Sequence, residues 1–181
     1  MDEGPAVVIG VGNILLRDDG AGVRVVEALR ALATRDPGAL PPATRLVDGG
    51  TLGTELLRTV QGARSLLLLD AVDLGLAAGT VRVLRGDAIE AADGRWGAAA
   101  DGGVAELLGV ARLMGWLPGP VALVGIQVGE VRFGMGLSAA VEAALPAAVE
   151  MARRELRKLD ELPITLDAAG PRSATREGAT A

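Results

Sequence analysis

The sequence has no cysteine and no histidine among its 181 residues. Without cysteine there is no disulfide, no thiolate nucleophile and no cysteine-ligated zinc. Without histidine there is no Ser-His-Asp triad and no H-E-x-x-H zinc site. Tyrosine is absent too, and the aromatics are two Trp and one Phe. The core must therefore be built from Leu, Val, Ala and Ile. No apolar run approaches the roughly 18 residues that span a bilayer, so membrane insertion is not expected. No basic segment leads into a long apolar stretch, so no secretory signal is visible and the expected location is cytoplasmic. A net charge of −5 argues against a general polyanion surface, and no nucleic-acid partner is expected.

What is abundant is glycine, 26 residues, which points to tight turns and close backbone approaches. The length suits one domain, expected over residues 1–162. Residues 163–181 are Ala-, Gly-, Thr- and Arg-rich without apolar period and are expected to form a disordered tail.

The chain alternates buried-strand and amphipathic-helix patterns. Pro5 to Val11 reads as a strand, β-branched at Val7, Val8 and Ile9. Gly10, Gly12 and Asn13 punctuate it. The third glycine of a dinucleotide fingerprint would fall at Leu15, so that match fails. Asp18 and Asp19 follow, flanked by Gly20 and Gly22, and a helix with Val25, Val26 and Leu29 on one face runs to about Asp36. Either acid alone reads as a helix cap; the adjacent pair between glycines suggests more. Thr44 to Val47 reads as a strand with Asp48 at its end, followed by a helix through Leu56, Leu57 and Val60. The run SLLLLD, Ser65 to Asp70, is continuously apolar, as expected of a central strand covered on both faces. Asp73 suits a turn cap. Thr80 to Leu84 follows too closely for a helical crossover, which predicts an antiparallel or edge strand. Arg85 to Ala100 reads as a surface loop. A helix is expected from Asp101 to Met114, then a strand from Val121 to Gln127 and a glycine-broken loop from Gly129 to Gly136. Trp116 beside Leu117 reads as a core edge. Ser138 is the expected N-cap of a last helix, about Ala139 to Leu159, with Pro146 inside it and a basic, solvated end.

Three acids thus stand where strands end: Asp19, Asp48 and Asp70. In an open α/β sheet such positions can share one crevice. With cysteine and histidine absent, a carboxylate is the remaining candidate for a general base there.

The ordered segments GVGNILLRDDGAGVRVVEAL (Gly10 to Leu29), DGGTLGTELL (Asp48 to Leu57), LLLDAVDLGLAAGTV (Leu67 to Val81), VAELLGVARLMG (Val104 to Gly115), VALVGIQ (Val121 to Gln127) and GLSAAVEAALPAAVE (Gly136 to Glu150) resemble the maturation endopeptidases of nickel–iron hydrogenases. The resemblance implies an α/β fold, a three-layer α/β/α sandwich around a mixed, mostly parallel sheet of about five strands. It implies an endopeptidase that removes the C-terminal extension of the hydrogenase large-subunit precursor after nickel insertion, letting the subunit close and join its small partner. The family's metal ligands are an acid in the first glycine-rich loop, an acid after the central strand and a histidine before the later helix. The two acids map to Asp19 and Asp70, which the resemblance makes the catalytic and metal-facing candidates. The histidine position maps to Ala100, so this chain departs from the pattern there, and Asp101 beside it is the candidate third ligand. Asp48, Asp18, Gly12 and Asn13 are supporting residues, the last two shaping the loop. Nickel prefers imidazole to an all-oxygen site, so the chain's own nickel binding is expected to be weak and the metal to arrive in the substrate precursor. The alternatives are a noncatalytic assembly chaperone that binds the same precursor, and a small-molecule α/β enzyme supported only by the first glycine-rich loop.

Overall fold

A computed structural model of the chain describes residues 4–91 and 104–162. The expectations for Ala100, Asp101 and the 163–181 tail lie outside the described residues.

Five strands form one sheet: β1 (Ala6–Val11), β2 (Thr44–Gly50), β3 (Ser65–Val72), β4 (Val81–Arg85) and β5 (Val121–Gln127). Their spatial order is β2-β1-β3-β5-β4. β1 pairs parallel with β2 and β3, and β3 pairs parallel with β5. β4 closes the edge antiparallel to β5, the arrangement its short connection predicts. Every residue of β3 is buried, as its unbroken apolar run requires of a strand with helices on both faces.

The helices are α1 (Ala21–Arg35), α2 (Leu57–Val60), α3 (Asp87–Ala91), α4 (Val104–Leu113) and α5 (Ala139–Glu161). Alternating strand residues divide the core in two. Val8, Leu67, Leu69 and Val124 pack with Val25, Val26 and Leu29 of α1 and with Val141, Ala148 and Leu156 of α5. Val7, Ile9, Leu66, Leu68 and Leu123 pack on the opposite face with Val60 of α2 and with Leu107 and Ala111 of α4. The result is the three-layer α/β/α sandwich around a mixed, mostly parallel sheet.

Local differences from the sequence reading have local causes. The helix expected after Thr51 is a 3₁₀ turn, Gly53–Leu56, followed by the single turn α2. β2 runs on to Gly50, which puts Asp48 inside the strand opposite Gly10. The loop expected after Arg85 begins with α3. Trp116 is half-buried beside the buried Leu117, a core edge as expected. Pro146 lies within α5, which continues through it.

The order β2-β1-β3 creates a switch point. From β1 the chain leaves through α1 on one face; the helices α2 and α4 that flank β3 in sequence lie on the other. At such a point the loops at the carboxyl ends of adjacent strands part and leave a crevice.

Candidate functional site at the carboxyl edge of the sheet

Asp19 and Asp70 lie at this switch point. Asp70 lies near the carboxyl end of β3, paired with Gly125 of β5, and Asp19 lies in the 3₁₀ turn Arg17–Gly20 that links β1 to α1. The close approach depends on glycine. A Cβ on Gly22 would lie 2.2 Å from the Leu69 carbonyl oxygen and 2.5 Å from that of Val11. Only a residue without a side chain lets the start of α1 rest on β1 and β3 together. Gly12 has φ of 127°, and a Cβ there would meet the Asp19 carbonyl oxygen at 1.9 Å. The glycines shape the loop, as the sequence suggests.

Both carboxylates are withdrawn from water: Asp19 is 2% and Asp70 7% exposed. Asn13 N–H donates to Asp19 Oδ2 at 2.8 Å, while Asn13 Oδ1 accepts from Leu15 N–H at 2.9 Å. Asn13 therefore folds the loop with its side chain and orients Asp19 with its backbone. Ala71 N–H donates to Asp70 Oδ1 at 2.8 Å. Burial raises the Asp70 pKa well above the ordinary carboxylate value; the Ala71 hydrogen bond opposes this, and the Asp19 charge adds to it. Asp70 thus holds a proton to higher pH than a solvated aspartate, with a second carboxylate beside it.

Asp18 does something else. It is fully buried, and its two oxygens accept four hydrogen bonds from the loop between β5 and α5. Oδ2 accepts from Gly129 N–H (2.8 Å), Glu130 N–H (2.7 Å) and Ser138 Oγ–H (2.8 Å), and Oδ1 from Ser138 N–H (2.6 Å). Burial would raise its pKa, but these donors outweigh burial and hold the carboxyl below the ordinary value. The capping reading does not hold for Asp18, since the N-cap of α1 is Gly20 and the Asp18 side chain points into the other loop. The N-cap position expected for Ser138 is borne out, with its hydroxyl put to a different use. Ser138 occupies the N-cap of α5, but its hydroxyl makes no capping bond and donates to Asp18 instead.

Backbone bonds reinforce the link. Gly134 N–H donates to Leu15 O (2.9 Å), Arg17 N–H to Gly134 O (3.1 Å) and Asp18 N–H to Glu130 O (3.2 Å). Arg17 adopts φ of 52°, a left-handed conformation uncommon outside glycine, immediately before the two acids.

Asp48 is exposed on the edge strand β2, and its Oδ1 accepts from Gly50 N–H at 3.1 Å, turning its own backbone. Asp73 Oδ1 accepts from Gly75 N–H (3.2 Å), in keeping with a turn cap, and from Gln127 Nε2–H (3.1 Å). Gln127 is a residue the sequence does not single out. Buried at the end of β5, it also accepts from Leu74 N–H (2.8 Å) and Leu76 N–H (3.2 Å), fixing the loop after β3. The available signal is its position, a polar residue closing the apolar run VALVGIQ.

Among the described residues the arrangement brings two carboxylates together. Among the described residues no group of three or more His, Cys, Asp or Glu side chains could hold a metal ion. Two carboxylates without imidazole or thiolate do not suit a resident nickel ion. The pair does suit proton transfer, one carboxyl in a dry environment beside another at an open sheet edge.

The family model for hydrogenase maturation protease matches residues 23–155. A hydrogenase expression/formation protein, HupD of Rhodobacter capsulatus, is 37% identical over 153 residues, 83% of this chain and 70% of the relative. The hydrogenase 2 maturation protease of Escherichia coli is 35% identical over 153 residues, 84% of this chain and 90% of the relative. The structure of the hydrogenase maturating endopeptidase HybD from E. coli superposes with a TM-score of 0.74 at 33% identity, covering 85% of this chain and 93% of that one.

Proposed function

The chain belongs to the hydrogenase maturation protease family and is an endopeptidase, and on that premise we propose that it removes the C-terminal extension of a nickel–iron hydrogenase large-subunit precursor after nickel insertion. The observation that carries the reading is the buried Asp70 beside Asp19 at the switch point between β1 and β3.

The pair divides the work of peptide hydrolysis. Asp19, oriented by Asn13 N–H, is the base that takes a proton from the attacking water. Asp70, whose buried carboxyl holds its proton to higher pH than a solvated aspartate, is the acid that gives a proton to the departing amide nitrogen. Water adds to the scissile carbonyl carbon, the C–N bond breaks, and the products are a shortened subunit and a C-terminal peptide. Nickel belongs to the substrate in this scheme. With no imidazole in the chain, its own hold on nickel is expected to be weak, and no step is assigned to a bound metal.

The test is intact mass of nickel-loaded and nickel-free precursor before and after incubation with this protein. The expected result is loss of one discrete C-terminal peptide from the loaded form alone. No loss from loaded precursor, in a sample that a competent relative cleaves, overturns the reading in favour of a noncatalytic precursor-binding factor.

A further inference from the structure

The sheet edge that carries Asp19 and Asp70 also collects exposed apolar side chains. Ile14 and Leu15 follow β1, Leu52 follows β2 and Leu76 follows β3. Val131, Phe133 and Met135 follow β5. These four strands are parallel, so all four loops leave the same edge. The other large exposed apolar residues among the described residues are Leu113, Met114 and Leu162, at the ends of α4 and α5. The end of α5 lies at the opposite edge, where Asp160 pairs with Arg64 just before β3. The end of α4 feeds the start of β5 there. The apolar exposure is therefore segregated by edge.

The loop presenting Phe133 and Met135 is pinned. Asp18 holds it at Gly129, Glu130 and Ser138, and Gly134 is bonded both ways to Leu15 and Arg17. Glu130 also lies between Arg17 (3.2 Å) and Arg132 (3.0 Å). Phe133, the chain's sole Phe, is 83% exposed and Met135 63%. Exposed this far, the two side chains add little to folding. A fixed loop that displays an aromatic ring matches the anchor residues of protein interfaces, where little order remains to be lost on binding.

We infer that Leu15, Phe133 and Met135 form the docking surface for an apolar patch of the large-subunit precursor beside its scissile segment. This rests on the endopeptidase reading. The occupant follows from continuity with the acid pair, because Leu15 is bonded to Asn13, and Asn13 to Asp19. A protein that lays a peptide bond over Asp19 and Asp70 must cover this rim. A second copy of the chain seated here would close the crevice to that protein.

The experiment measures Kd, KM and kcat for nickel-loaded precursor with wild type, F133S, F133L, M135S and the opposite-edge control L113S. Melting curves and sedimentation are recorded for each. F133S and M135S are expected to raise Kd and KM by roughly tenfold, with kcat at saturation within about twofold of wild type. F133L, which keeps an apolar contact, and L113S are expected to stay near wild type. M135S decides the matter if F133S melts abnormally. Unchanged Kd in F133S and M135S, with wild type still processing precursor, overturns the docking surface and leaves the endopeptidase reading standing. A wild-type protein that neither binds nor cleaves precursor overturns both. A wild-type dimer that F133S converts to monomer also overturns the proposal, by assigning the surface to self-association.

Discussion

Asp18 and Ser138 are separated by 120 positions in the chain and are joined by two hydrogen bonds, Ser138 N–H to Asp18 Oδ1 and Ser138 Oγ–H to Asp18 Oδ2. The contact ties the loop that carries Asp19 to the loop that carries Phe133. The adjacent acids Asp18 and Asp19 have different surroundings, one holding the edge together and the other beside Asp70.

Replacing Asp18 tests that division. In Asp18→Ala the amides of Gly129, Glu130 and Ser138 lose a charged acceptor in a buried place. The expected cost is about 3 kcal/mol of folding stability, read by urea unfolding. The pH dependence has a definite sign. The folded pKa of Asp18 lies below its unfolded value, so its contribution is full above the ordinary aspartate pKa and is lost as pH falls through the lower folded value. Wild type should lose stability over that acid range more steeply than the variant.

Asp70 has the opposite sign. Its folded pKa lies above the ordinary aspartate value. Between the two values the folded protein keeps a proton that the unfolded chain releases, so stability falls as pH rises through that window. Asp70→Asn removes the buried charge and should flatten this dependence and melt higher than wild type above the window. Processing of loaded precursor should fall at least about 100-fold in Asp70→Asn and in Asp19→Asn. Processing at the wild-type rate in both variants would remove the pair from the mechanism.

Gly22→Ala places a methyl group against the carbonyl oxygens of Leu69 and Val11. Neither backbone can retreat without opening the junction of α1 with β1 and β3. The expected loss is about 3 kcal/mol or more, seen as a lower unfolding midpoint or no soluble protein. Gly109→Ala in α4 meets nothing within 4 Å and serves as the control that stays folded.

Glu155 of α5 is 1% exposed and accepts both a 2.6 Å bond from Arg85 Nε and a shorter one from Arg85 Nη2. Arg85→Met leaves this carboxylate with the more distant Lys158 ammonium, at 3.7 Å. Arg85 is half exposed, so water moderates the effect and the expected loss is about 2 kcal/mol. Joining Arg85→Met to Glu155→Met should restore most of it, measured as a double-mutant cycle.

The sequence by itself determined the layers of this protein and the chemistry closed to it. Continuous apolar runs such as SLLLLD can be satisfied only between two helical layers, and the 3.6-residue period of α1 and α5 supplies those layers. The absence of cysteine and histidine rules out whole classes of catalysis without reference to shape. The tertiary structure decided which acids meet and what each one does. Asp18, Asp19, Asp48 and Asp70 are alike as letters. Burial raises the Asp70 pKa, four donors from a distant loop hold Asp18, Asn13 orients Asp19, and Asp48 bonds locally to Gly50. Ser138 reads as a cap because capping is a local rule, and its hydroxyl is diverted by a partner that only chain folding brings near. Propensity and periodicity act over neighbouring residues. Desolvation and hydrogen bonding at this edge depend on strands and loops far apart in sequence, so the roles of the acids were settled only when the sheet was assembled.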